Sequence, residues 1–345
     1  MSAALPKAPE ATMRVSALHG VGDLRLTERP VPVPGRGEVL VRVAAVGVCG
    51  SDTHYYTQGR IGPFVVDRPL VLGHEASGRI VGVGEAVDPR RIGSRVSIEP
   101  QRPCRSCTEC KAGRYNLCPH MEFFATPPID GAFAEMVVIE DDFAHDVPDS
   151  ISDAAAALVE PLSVGIWACQ KACIGAGSRV LIAGAGPVGI IIAQVAGAFG
   201  ASEVHISDLS DERLGFARAH GATHTHRADS PVDDLGVDAF IDASGAEPAI
   251  RAGISAVRPA GSVVLVGLGA DEAVLPVNLL QNRELVLTGV FRYANTWPLA
   301  IRLLAEGRID LDCLVTGRHG LADAESALTS GSTPRSMKSL VMPQL

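Results

Sequence analysis

Four cysteines crowded into one short stretch, Cys104, Cys107, Cys110 and Cys118, constrain this chain more than any other feature. Thiols at such spacing can close a tetrahedral Zn²⁺ site with no position left for solvent, the arrangement of a structural site. The rival is a secreted disulfide framework. A chain of 345 residues buries enough core to do without one, and no signal peptide is expected, because no basic segment followed by an apolar run opens it. A second set mixes ligand types: Cys49, then His74 and Glu75. A thiolate and an imidazole need a carboxylate as third protein ligand, which either Glu75 or Glu160 can supply, and the remaining position would stay open and reactive. Cys169, Cys173 and Cys313 stand alone and read as small buried hydrophobes.

The length suits two domains. A net charge of -9 with no basic run argues against nucleic acid as a partner. The composition, 47% hydrophobic and 20% charged, is that of a soluble globular protein, expected in the cytoplasm. The stretch 180–201 is apolar enough to mimic a membrane span, but Gly184, Gly186, Pro187 and Gly189 interrupt it, and no membrane association is expected. Residues 1–12 read as a disordered leader. From 13 to 165 β-branched runs separated by glycine and proline (39–46, 76–83, 94–98) predict a closed, barrel-like β domain, with the cysteine segment (about 100–120) as a lobe hanging from it. Near Ile151 the texture changes. A helix opens on Ser152 or Asp153 as cap, and strands at 179–183, 203–207, 237–242, 262–266 and 284–290 then alternate with helices at 188–199, 211–220 and 248–257. That rhythm predicts a doubly wound parallel sheet over 166–300, an α/β unit beside the β domain. A further helix runs from Thr296 to about Glu306, and 301–345 returns to mixed structure.

Gly184-Ala-Gly186-Pro187-Val188-Gly189 follows one of these strands and opens a helix, the context a dinucleotide turn requires. Gly184 permits the tight turn, Gly186 the approach of a pyrophosphate, and Gly189 close packing of helix on strand, while the helix N-terminus favours the phosphates. Asp208, ending the second strand, can accept both adenosine-ribose hydroxyls and would repel a 2′-phosphate, so NAD is favoured over NADP; Arg213 nearby is the residue that could pair with that phosphate.

Further segments make the chain similar to a known group. The stretches 47–56 (with Cys49, Ser51, His54, Tyr55), 72–78 (with His74, Glu75), 113–118, 123–128, 160–165 (with Glu160), 266–269 and 289–298 (with Arg292, Tyr293) resemble the zinc-dependent medium-chain dehydrogenase/reductases, and within them the polyol (sorbitol, L-iditol, xylitol) dehydrogenases. The resemblance runs from about Met13 to Pro343. Monohydric alcohol dehydrogenases are less similar, having a cysteine where Glu160 stands. The resemblance implies a GroES-like β-barrel catalytic domain, a Rossmann domain, a C-terminal return to the catalytic side, two zinc ions per subunit, NAD, and a homotetramer. It implies an L-iditol 2-dehydrogenase-like activity on a small polyol. Cys49, His74 and a glutamate would hold the catalytic zinc, Glu75 being the family's ligand and Glu160 holding a zinc-bound water or ligating directly. Tyr55, Glu160, Arg292 and Tyr293 would touch substrate. Val188, Asp208, Arg213, Val266, Gly267, Leu268, Val290, Phe291 and Arg292 would line the NAD site.

The chemistry expected is alkoxide formation at a bound Zn²⁺ followed by hydride transfer to nicotinamide. Ser51 and His54, just beyond Cys49, are placed to relay the released proton. A related enzyme acting on threonine, butanediol or another secondary alcohol is the runner-up. A non-catalytic NAD/zinc redox sensor is the rival of another class, disfavoured by the intact set of Cys49, Ser51, His54, His74 and Glu160.

Overall fold

A computed structural model describes residues 11–333 and 335–345. Most of the expected leader, residues 1–10, lies outside the described residues. Thr12, placed in that leader by the sequence reading, instead opens the first strand, β1 (Thr12–Gly20), which forms an antiparallel hairpin with β2 (Asp23–Pro30).

The first large sheet is built around β3 (Glu38–Gly47), whose valines at 39, 41 and 43 alternate into the core as a half-buried strand demands. It pairs antiparallel with β4 (Glu75–Val83) and β6 (Met136–Glu140), and β4 pairs with β5 (Arg95–Ile98), which carries β7 (Ala144–Asp146) at the edge. Helix α1 (Gly50–Gln58) springs from the end of β3 and stops at Gly59, whose φ of 70° ends it with a left-handed cap.

Two helices follow the barrel, where one had been expected. Ser152 caps the first, α2 (Asp153–Ala157), by accepting from the Ala155 amide at 2.9 Å, and the chain breaks at Leu158 before α3 (Val159–Lys171). The second sheet contains β8 (Arg179–Ala183), β9 (Glu203–Asp208), β10 (His224–Arg227), β11 (Val237–Asp242), β12 (Val257–Leu265) and β13 (Val286–Gly289), all parallel, in the order β10-β9-β8-β11-β12-β13. Helices α4 (Pro187–Ala198), α5 (Asp211–Ala219) and α6 (Glu247–Ala256) connect them. The sheet is buried on both faces: Val180 and Ile182 of β8 join the core with α3 and α4, while Leu181 and Ala183 join the one with α6. This is the doubly wound order, with its switch point between β8 and β11. The apolar stretch 180–201 is thus a strand and a 12-residue helix. Among the described residues no helix is long and apolar enough to cross a membrane.

After α7 (Trp297–Ala305) the chain returns to the first sheet. There β15 (Lys338–Val341) lies antiparallel to β3, with Leu340 opposite Gly47, and parallel to β14 (Val315–His319). The cuts expected at 165 and 300 fall inside α3 and α7. Of the isolated cysteines, Cys169 is buried as expected, whereas Cys173 is exposed and Cys313 only partly buried.

Candidate active site

Two strand ends and one helix start converge on the first donor set. Cys49 immediately precedes α1, and His74 and Glu75 sit where the chain enters β4. Asp52, fully buried in the first turn of α1, ties them: its carboxylate accepts the Cys49 amide at 3.0 Å and the Gly73 amide at 2.9 Å, and lies 3.8 Å from His74 Nδ1. The sequence reading passed over Asp52. The ligand atoms of Cys49, His74 and Glu75 all lie within 4.8 Å of one another. Burial opposes charge on His74, but Asp52 and the Cys49 sulfur outweigh it and push its pKa up to about 10.

Glu75 is wholly buried. Its Oε1 accepts from Lys338 Nζ of β15 at 2.5 Å, and its Oε2 has no hydrogen-bond partner. An orphaned buried carboxylate oxygen beside a thiol and an imidazole is costly by itself, and a divalent cation is the group that would satisfy it. The donor set therefore fits zinc. Gly47 makes room for it, since a Cβ there would sit 2.0 Å from Glu75 Oε2. Lys338 also donates to the Val48 carbonyl at 2.8 Å, and nothing in the local sequence marked it.

Glu160, in the first turn of α3, accepts from Tyr293 Oη at 2.7 Å. Burial pushes it up to about 7 against the pull of His74. Burial and Glu160 hold Tyr293 well above the ordinary phenol, so it stays a donor. Arg292, at φ 55°, lies over the Phe123 ring at 3.8 Å, and Phe123 in turn packs 5.5 Å from His74. Tyr55 is buried on α1 and bonds Thr126; burial pushes it up to about 12. Ser51 and His54 lie on the same helix, both partly buried, and no hydrogen bond joins them.

The second donor set closes on itself. The ligand sulfurs of Cys104, Cys107, Cys110 and Cys118 lie within 4.8 Å of one another. Backbone amides point at them: Cys107 N–H to Cys104 Sγ and Cys110 N–H to Cys107 Sγ, each at 3.4 Å, and Cys104 N–H to Cys118 Sγ at 3.3 Å. Amides around Cys104, with the Ser106 hydroxyl, pull it down to about 5, while burial and the neighbouring Cys107 and Cys118 sulfurs push Cys110 up to about 12. Four sulfurs with amide donors fit a tetrahedral thiolate site. The lobe also grips the Phe291–Asn295 segment. Asn116 Nδ2 donates to the Phe291 carbonyl at 2.8 Å, Asn295 Nδ2 to the Gly113 carbonyl at 2.9 Å, and the Asn295 amide to Tyr115 Oη at 2.7 Å.

The glycine turn sits at the switch point. Gly184, at φ 98°, lies against Ala243, and a Cβ on Gly189 would come 1.8 Å from the Gly184 carbonyl oxygen. Gly186 caps α4, with Pro187 and Val188 in its first turn. Asp208 accepts the Ala185 and Ser210 amides, each at 2.8 Å, which fixes its carboxylate beside the turn. A Cβ on Gly186 would lie 4.0 Å from Arg213 Nη1. Val266 and Gly267 donate their amides to the Asp242 carbonyl, and Leu268 is exposed beyond them. Val290 and Phe291 line a cavity of about 290 Å³ with Asn116, Trp167 and Lys171, which no residue of the glycine turn enters.

Residues 35–149 match the alcohol dehydrogenase GroES-like domain, and residues 187–306 the zinc-binding dehydrogenase family. The sorbitol dehydrogenase of Bacillus subtilis (strain 168) is 41% identical, with 92% of each chain covered. A probable D-xylulose reductase A of Neosartorya fischeri is 42% identical, covering 94% of this chain and 95% of its own. Among solved structures, L-idonate 5-dehydrogenase from Escherichia coli superposes with a TM-score of 0.91 at 28% identity, over 96% of this chain and 98% of its own. The chain belongs to the zinc-dependent medium-chain dehydrogenases, a Rossmann sheet joined to a GroES-like barrel. Within them it falls in the group that holds the sorbitol dehydrogenases.

Proposed function

We propose that this chain is a zinc- and NAD-dependent polyol 2-dehydrogenase, reversibly oxidising a secondary hydroxyl of a sugar alcohol of the sorbitol, L-iditol or xylitol type to the ketose. The observation that carries it is the Tyr293–Glu160 pair beside the Cys49–His74–Glu75 donor set, with Arg292 across Phe123. A substrate with one reacting hydroxyl needs few polar partners; one with several needs a cluster such as Tyr55, Glu160, Arg292 and Tyr293. Zinc, when held by Cys49, His74 and Glu75, acidifies a hydroxyl, and bound NAD accepts a hydride. Ser51 and His54, both partly buried on α1, would take the hydroxyl proton towards solvent. Tyr293 and Glu160 hold a neighbouring hydroxyl, and Arg292 one further along. Asp208 holds the adenosine ribose and favours NAD by repelling a 2′-phosphate, while Val188, Arg213, Val266, Gly267, Leu268, Val290 and Phe291 complete the cofactor's surroundings. Cys104, Cys107, Cys110 and Cys118 hold a structural zinc.

The test is a panel of sugar alcohols, butanediol and threonine with NAD and with NADP, followed by reduced-nicotinamide absorbance. Turnover of polyols with NAD is the expected result; turnover confined to butanediol or threonine overturns the substrate assignment.

The chain is read as catalytic barrel to about 165, dinucleotide domain to about 300, and a return to the barrel thereafter; β15 in the barrel sheet supports the last part. One twofold interface of the homotetramer is supported by the edge strand β13, which leaves Val286 59% and nearby Val274 63% exposed. Cytoplasmic residence is supported by eight unpaired cysteines.

A further inference from the structure

Far along the chain from both cysteine-bearing sites, the outer strands of the parallel sheet gather histidines. Side chains alternate along a strand, so Glu203 and His205 share one face of β9, and His224 and His226 one face of β10. The parallel register sets His205 opposite His224 and Ser207 opposite His226, which brings the pairs together. His205 is 3% exposed, yet both its ring nitrogens are engaged: Nε2 with Glu203 Oε2 and Nδ1 with His226 Nε2, each at 2.9 Å. The His224 ring stacks on His205 at 4.5 Å and 15°.

We propose that Glu203, His205 and His224 form a metal site of their own, one that takes a borderline divalent transition ion such as Zn²⁺. One ligand atom from each lies within 4.8 Å of the others. Carboxylate and imidazole donors suit zinc, nickel and copper over magnesium or calcium. The Glu203–His205 separation of 2.9 Å is what a shared proton sets; around tetrahedral zinc, donors stand about 3.3 Å apart, so a small rotamer shift replaces that proton with the ion. Partners that orient the ligands are present. His226 Nε2 can accept from His205 Nδ1–H. Thr223 Oγ1, which donates to the Val204 carbonyl at 3.1 Å, can accept from His224 Nδ1–H at 2.9 Å, the tautomer that leaves the other His224 nitrogen open to an ion. Arg179 Nε also bonds Glu203 Oε2, at 2.9 Å, and fixes that carboxylate at the start of β9. His224 is exposed, so three protein ligands would leave the remaining position to water or to a ligand from outside.

The test is equilibrium dialysis of the zinc-loaded enzyme against micromolar Zn²⁺, with elemental analysis. Wild type should bind one zinc per subunit beyond His224→Ala and Glu203→Gln, whose affinity should fall about tenfold or more. His19→Ala, an exposed histidine on β1, should match wild type. Polyol turnover should be the same in all four proteins, which separates failure here from failure of the activity assignment. If wild type holds no zinc beyond that of His224→Ala, or if both variants keep it, the site does not exist. Glu203→Gln preserves shape and hydrogen bonding at Arg179, so it decides the matter should His224→Ala fold poorly.

Discussion

Lys338 and Glu75 are an ion pair with almost no contact with solvent: Lys338 is 5% exposed and Glu75 0%. Neither charge has a reason to be inside except the other, together with whatever cation the orphaned Glu75 oxygen faces. Removing one partner of such a pair leaves an uncompensated buried charge, a cost of about 3–5 kcal/mol. Lys338→Met should therefore lower the unfolding free energy of the metal-free protein by about that amount, read from denaturant midpoints, although no catalytic role attaches to the lysine itself. A midpoint within error of wild type would mean that the pair contributes nothing to the stability of the fold. His74 gives the complementary prediction. Its pKa of about 10 in the metal-free site means that zinc must displace a proton from it at neutral pH. Zinc affinity of the metal-free enzyme should then rise with pH from 6 towards about 10, the sign following from loss of the competing proton, and competition against a chelator at several pH values measures it. A flat profile would place the proton elsewhere.

At the level of elements, the cysteine lobe does more than fold. A closed structural site adds stability, and Gly113, Tyr115 and Asn116 each also bond the segment that carries Arg292 and Tyr293. Asn116→Ala removes one bond to the Phe291 carbonyl, worth about 1 kcal/mol. If that segment faces substrate as proposed, KM for the polyol should rise several-fold while the melting temperature moves little. Equal KM with a lowered melting temperature would reduce the lobe to a staple. The sequence carried the ligands of both donor sets because metal chemistry is written in residue type and short spacing. It carried the glycine turn because strand, turn and helix are local. It did not carry Lys338, which lies 263 positions from Glu75, nor the lobe's bonds to Phe291 and Asn295, because side-chain pairing across a fold leaves no local pattern. Strand β10 was missed for a different reason: His224-Thr-His226-Arg227 has one β-branched residue and no apolar alternation, so only the neighbouring β9 makes it a strand.

For the molecule as a whole, the parallel sheet ends on β13, paired on one side to β12 and carrying Val286 at 59% exposure. Val274 and Val277, just before it, and Phe291, just after it, are also more than half exposed. A sheet edge that carries valine where monomeric proteins place lysine, proline or a bulge invites another strand, and the cheapest partner is the same edge of a second copy related by a twofold axis. Val286→Lys puts a charge on that edge at a residue more than half exposed, outside the buried core. Two such lysines would face each other across the axis, and like charges there oppose pairing as they do across any strand pair. The variant should sediment as a smaller species than wild type at the same concentration, with its subunit spectrum by circular dichroism unchanged. Both donor sets and the Tyr293–Glu160 pair lie within one chain, so the smaller species should keep its zinc and some turnover. An unchanged sedimentation coefficient would show that assembly uses another surface and that these valines are exposed in the working enzyme.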